Sequence, residues 1–188
     1  MFTSIRRSLS RQHKTNVSSS ISRQGIRLTL LEPALNLKVW RVSKPGHGKA
    51  SPNGTGAHRW NSPGTPVIYA AESRALAVLE MLCHLEGREL LEPYVLIEIG
   101  LDDSLVRNVE QSSLPPDWCR DPSPPELKRL GDDWIKRAEC PVLRVPSALL
   151  PEEHNFLLNT EHGDFRRLTF GEPVPFRFDP SLVKSTNH

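Results

Sequence analysis

Pro66-Val67-Ile68-Tyr69-Ala70-Ala71-Glu72-Ser73-Arg74-Ala75-Leu76-Ala77-Val78-Leu79-Glu80-Met81-Leu82-Cys83-His84-Leu85 is the stretch on which the fold turns. Its first six residues are β-branched, aromatic or small and read as a strand. Ser73 can then cap a helix that runs to about Glu86, with Gly87 as its stop. From Ala75 to Leu85 nearly every position is apolar, Glu80 and His84 excepted, and a helix apolar all round is predicted to be buried. Upstream, Leu37-Lys38-Val39-Trp40-Arg41-Val42 alternates as a strand should. Between the two strands, residues 44–66 are dense in Gly, Pro, Ser and Asn, a loop long enough to suggest function. Downstream, Tyr94 to Ile99 reads as a strand. Ser123-Pro124-Pro125-Glu126 offers a cap, a proline at the first helical position and a Glu three residues after the cap, so a helix is expected to about Ala138. Cys140 to Val145 is a further strand, and Leu168 to Phe178 is extended. The class is α+β, with short strands, a buried central helix and one further helix.

The 188 residues allow one domain with one real core. Lys and Arg number 24 against 22 Asp and Glu, a net of +2. Residues 1–31 carry six basic side chains (Arg6, Arg7, Arg11, Lys14, Arg23, Arg27) and no acid, leaving 18 basic against 22 acidic residues in 32–188, a net of −4. Residues 1–32 are therefore read as a basic, Ser/Arg-rich leader and 33–188 as the domain. The leader's composition resembles an organellar transit peptide, but Gly25 and the serine run favour a disordered leader. An acidic body argues against direct nucleic-acid binding, which needs clustered basic side chains. Cys83, Cys119 and Cys140 are odd in number and widely spaced, which points to a reducing, cytoplasmic setting and away from a disulfide framework. No apolar run approaches the roughly 18 residues of a membrane span.

Glu80 is the anomaly, because an ionised carboxylate inside an apolar helix is costly without a partner or a task. A structural ion pair with His84, or with an Arg from elsewhere, is the simplest account. No metal site is expected, since the H-E-x-x-H spacing is absent. Gly46-His47-Gly48 does not continue to G-x-G-x-x-G, which removes a Rossmann reading.

Other residues keep Glu80 company: Trp40-Arg41 on the first strand, Arg59-Trp60 closing the loop, Tyr69 on the second strand, and Pro146-Ser147 with Asn155, Asn159 and His162 downstream. This order (W-R, R-W, V-I-Y-A-A, A-x-x-E-x-x-x-H, V-P-S-A, P-x-x-x-N-x-x-x-N-x-x-H) resembles the RES domain over about residues 38–178, most specifically from Arg59 to His84. RES domains are the toxin half of RES–Xre toxin–antitoxin modules and are named for an Arg, a Glu and a Ser, here Arg41, Glu80 and Ser147. Two positions depart from the pattern: Ala57 stands where a Gly is common, and Glu161 where an Arg is usual. The second puts in doubt any phosphate contact from the late loop.

The resemblance implies an ADP-ribosyltransferase-like fold and an NAD+ phosphorylase or glycohydrolase that depletes NAD+ by cleaving its nicotinamide–ribose bond. NAD+ is then a substrate rather than a cofactor, and inorganic phosphate or water is the acceptor. Glu80 would stabilise an oxocarbenium-like centre. Arg41 and Arg59 would hold the pyrophosphate. Tyr69 and Trp60 would offer a flat face to nicotinamide. Ser147 would bond the ribose or orient Glu80, and Asn155 joins the substrate-binding group. The implied partner is an Xre-type antitoxin that blocks the pocket, and a homodimer is compatible. Protein ADP-ribosylation on the same fold, or an inactive antitoxin-binding module, are the alternatives.

Overall fold

The computed structural model describes residues 36–52, 56, 58–85 and 87–182; the leader and its boundary near Pro33 lie outside them. Strand β1 (Asn36–Ser43) pairs antiparallel along its whole length with β3 (Tyr94–Asp102). It meets β2 (Val67–Ala71) through one residue pair, Trp40 opposite Ala71. On its far side β2 pairs with β6 (His154–Asn159), which pairs with β5 (Val142–Pro146). A short β4 (Val106–Asn108) adds a parallel edge to β5. Two further short strands, β7 (Thr169–Phe170) and β8 (Val174–Phe176), close on β3. The sheet order is therefore β4-β5-β6-β2-β1-β3-β7, curled into a half-barrel.

Strand alternation divides the core by face. Val39, Ile68, Ile97, Ile99, Phe156 and Leu158 fill one side. Both helices cover the other face. Helix α1 (Arg74–Leu82) lays Leu76 and Ala77 against Val42, Ala71 and Tyr94. Helix α2 (Pro125–Arg137) lays Leu127 and Trp134 against Trp60, Trp118, Leu143 and Leu157. Each fully buried aliphatic side chain contributes about 1.5–3 kcal/mol, so these three clusters dominate the stability.

Both expected helices form, with corrections. Ser73 caps α1 as read, accepting from Leu76 N at 3.0 Å. The helix ends at Cys83 rather than Glu86, and Gly87–Leu91 is a 3-10 turn that brings Leu90 into the core. Nor is α1 buried all round. Leu76 and Ala77 are buried, Val78 to Leu82 are half-buried and Arg74 and Ala75 are exposed, because the helix has the sheet on one side alone. At α2 the residue before the helix is Pro124, which makes no side-chain cap, so Ser123 does not complete the capping box. Strands β4 and β6 were not foreseen. No described helix is long and apolar enough to cross a membrane.

Candidate active site

Ser147 sits where the chain leaves β5, Asn155 lies one residue into β6, and Glu80 lies two turns into α1. All three meet. Ser147 Oγ donates to Glu80 Oε1 at 2.8 Å, and Asn155 Nδ2 donates to the same oxygen at 2.5 Å. Among the described residues Glu80 Oε2 has no hydrogen-bond partner and Glu80 enters no ion pair. The carboxylate is half-buried, held by one oxygen and open at the other.

The hydroxyl of Ser147 is fully engaged among the described residues. Its side chain is 0% exposed, and besides donating to Glu80 its oxygen accepts from Leu149 N at 3.1 Å and Leu150 N at 3.2 Å. One donor and two acceptor sites exhaust a hydroxyl. Ser147 therefore orients Glu80 and has nothing left for a ribose. The α1 cap is tied to the same turn: Ser73 Oγ donates to Glu153 Oε2 at 2.7 Å, while Ser147 N donates to Glu153 O at 3.0 Å. The helix that carries Glu80 and the turn that holds it are thus one unit.

Tyr69 points from the face of β2 that Asn155 shares through the Ala71–Asn155 register. Its hydroxyl donates to Asn61 Oδ1 at 2.7 Å, and burial first, with the charges of Asp132 and Glu80 adding to it, raises its pKa above the usual phenol value. The His58 ring lies 5.1 Å from the Tyr69 ring, and His84 lies 6.3 Å from His58. His58 escaped the sequence reading because it belongs to a loop without periodicity. Its one signal was its place beside Arg59-Trp60.

Arg41 follows the single Trp40–Ala71 bridge, at the point where β1 and β2 part. It is 3% exposed, donates one hydrogen bond to Lys49 O at 3.2 Å, and leaves its buried Nε without a partner. No described carboxylate pairs with it, and burial lowers its pKa from 12.5 to about 10. By register its side chain leaves the opposite face of β1 from Trp40, whose face continues to Ala71 and Asn155. Arg41 therefore flanks the fork and is not bonded to the Glu80 group.

Arg59 and Trp60 are placed differently. Arg59 Nη1 donates to Trp118 O and Arg120 O, each at 2.8 Å, while its Nη2 and Nε have no hydrogen bond among the described residues. Trp60 is 2% exposed and packs in the α2 core, so its ring offers no open face to a ligand. The later motif divides in the same way. Asn159 Oδ1 accepts from Glu161 N, and His162 bonds Ala138 O and Asp164 N, so both shape their own turn. Asn155 alone reaches Glu80. A cavity of about 340 Å³ lined by Asn108, Arg144, Pro146 and His154 holds none of these groups. Among the described residues no cluster of His, Cys, Asp and Glu is placed to hold a metal ion.

Comparison with known proteins extends this geometry. The chain is 37% identical over 125 residues to Toxin Res of Yersinia enterocolitica, an alignment covering 66% of this chain and 82% of that one. It is 30% identical over 159 residues to the Prs ADP-ribosylating toxin of a Sphingobium strain, covering 80% and 99% respectively. A solved chain in the crystal structure of the Mycobacterium tuberculosis MbcT–MbcA toxin–antitoxin complex superposes with a TM-score of 0.63 at 19% identity, over 80% of this chain and 88% of that one, which shows a shared fold. With residues 38–179 matching the RES domain model, the chain belongs to the RES domain family.

Proposed function

We propose that this protein is the toxin of a toxin–antitoxin pair, built on an ADP-ribosyltransferase-like fold, and that it breaks the nicotinamide–ribose bond of NAD+. The observation that carries the reading is the Glu80 carboxylate, fixed through Oε1 by Ser147 and Asn155 with Oε2 left open. When the C1′–N bond breaks, its electron pair leaves with neutral nicotinamide and positive charge develops on the ribose. A carboxylate already oriented toward that centre stabilises the charge without reorganising during the reaction. An oxygen of phosphate or water then bonds to C1′, and the proton it releases goes to solvent or Glu80. Arg41, buried with a bare Nε and no carboxylate, suits one charge of the dinucleotide's pyrophosphate, since a buried cation without an anion is costly.

The test is direct. Incubated with NAD+, the purified protein releases nicotinamide, together with ADP-ribose-1″-phosphate when phosphate is present and ADP-ribose when it is not. Glu80→Gln keeps an oxygen that accepts from Ser147 and Asn155, so it folds, and it loses at least 100-fold in turnover. Intact NAD+ under all conditions with the wild-type protein overturns the proposal. Transfer of ADP-ribose to a protein is the second reading, favoured by the alignment to 99% of the Prs ADP-ribosylating toxin; label from NAD+ would then appear on protein. The solved toxin–antitoxin relative supports an antitoxin partner, and an Xre-type antitoxin that covers the site is the form we propose.

A further inference from the structure

We propose that His58 is a substrate-contact residue, which with Tyr69 forms the wall against which the nicotinamide ring of NAD+ lies; the inference rests on the activity proposed above. The His58 ring stands 5.1 Å from the Tyr69 ring at an angle of 48°, so the two present adjoining surfaces instead of stacking face to face. His84, which follows the helix carrying Glu80, approaches His58 edge-on at 6.3 Å. Glu80 is close enough to Tyr69 for its charge to act on the phenol. The two aromatic rings therefore adjoin, with the charge of the open carboxylate acting on one of them.

Three features point to a ligand there. First, the His58 imidazole is half-buried, yet neither ring nitrogen has a hydrogen-bond partner among the described residues. The unpaired nitrogens are not buried, so they face solvent and are open to a group that arrives. Second, an imidazole with one donor and one acceptor nitrogen complements a carboxamide, which carries both an N–H₂ and a carbonyl. Third, the nicotinamide ring of NAD+ is cationic, and burial, with repulsion from His84, lowers the pKa of His58 and keeps it neutral. A neutral aromatic surface receives a flat cation, which a charged one would repel. Backbone bonding fixes the position: His58 N donates to Asn61 O at 3.2 Å, and the Asn61 side chain in turn receives the Tyr69 hydroxyl.

The experiment uses the full chain in two backgrounds. With Glu80 intact, steady-state release of nicotinamide gives KM and kcat. In the Glu80→Gln background, where substrate persists, calorimetry gives the affinity for NAD+. His58→Ala is expected to raise KM and weaken binding about 10-fold with kcat changed less than threefold. His58→Phe should recover the part of that affinity that the ring supplies but not the part from hydrogen bonds to the carboxamide, and His58→Lys should bind more weakly than the alanine variant because it adds a charge. Unfolding curves on each variant separate a loop defect from a lost contact, since a defect would lower stability and would not be rescued by Phe. If the wild type turns over NAD+ and His58→Ala matches it within twofold in KM and binding, this inference is overturned and the proposed function stands. If the wild type neither binds nor consumes NAD+, both fall.

Discussion

Removing the Ser147 hydroxyl measures how the carboxylate is held. Ser147→Ala deletes the bond to Glu80 Oε1 and the acceptor for Leu149 N and Leu150 N. A hydrogen bond to a charged group contributes about 1.5–3 kcal/mol. Each of the two amide bonds adds roughly 0.5 kcal/mol, the low end for a neutral hydrogen bond. The sum is about 2.5–4 kcal/mol, which for a domain of this size lowers Tm by roughly 7–12 °C. Urea unfolding followed by circular dichroism reads the change as a fall in midpoint with the slope preserved. Activity should fall about 10- to 100-fold, because Asn155 alone then orients Oε1. The decisive measurement is the double-mutant cycle with Glu80→Ala, which unlike Gln removes the acceptor, and where contact predicts a coupling on the order of 1–2 kcal/mol. Additive effects within 0.3 kcal/mol, or an alanine variant as stable and active as the wild type, would show that Ser147 does not hold Glu80.

Gly131→Ala tests how the long loop meets α2: a Cβ there would fall 1.7 Å from the Trp60 carbonyl oxygen, an overlap with backbone that cannot relax locally. It should cost on the order of 3 kcal/mol or more and leave soluble protein at low yield or unfolded, while an alanine variant of wild-type stability would refute the close approach. Asp132 anchors the same loop, accepting from Ser62 N at 2.9 Å, Ser62 Oγ at 2.6 Å and Thr65 Oγ1 at 3.4 Å. Burial is the largest single effect on its carboxyl and opposes ionisation, but these bonds and Lys136 together hold its pKa below the usual 3.8. A depressed carboxylate stabilises the fold above its unfolded value and ceases to as pH falls through the folded one. The Tm gap between wild type and Asp132→Asn should therefore be full at pH 5–7 and close below about pH 3.8, and a gap independent of pH would remove the anchor.

What could be read beforehand follows from where each signal resides. Strands β1 and β2, the Ser73 cap and the α+β class are local patterns, and they form as the pattern requires. Strand β6 was missed although it lies between β5 and β2. Phe156-Leu157-Leu158 is a short continuous apolar run, covered on both faces, and such a run has no alternation to detect. The extent of α1 was overestimated because apolar residues after Leu82 signal burial, and burial is achieved here by a turn. At the site, residue type singled out Glu80, Ser147 and Asn155, which the fold brings together, but it could not tell how each Arg is bonded. Arg59 and Arg41 look alike in sequence. One donates through Nη1 to the carbonyls of Trp118 and Arg120, and the other keeps a bare, buried Nε. Trp60 is a core residue for the same reason: its neighbours come from α2, some 70 residues away.

The manner in which Glu80 is held bears on what it can do. A carboxylate on an apolar helix is most simply explained by an ion pair, and His84 or an Arg was the expected partner. Neither pairs with it among the described residues. Its two donors are a hydroxyl and an amide, both neutral. A cation in their place would bind the carboxylate more tightly but cancel its field at the distance of a substrate. Neutral dipoles fix the orientation and leave the negative charge whole. That charge is most useful against a centre which becomes positive only as a bond breaks, because it then favours the transition state over the ground state. The same logic accounts for Arg41 on the other side of the fork. Among the described residues its charge is also left unmatched, and the two uncompensated charges, of opposite sign, suit a ligand that carries a fixed anion at one end and develops a cation at the other.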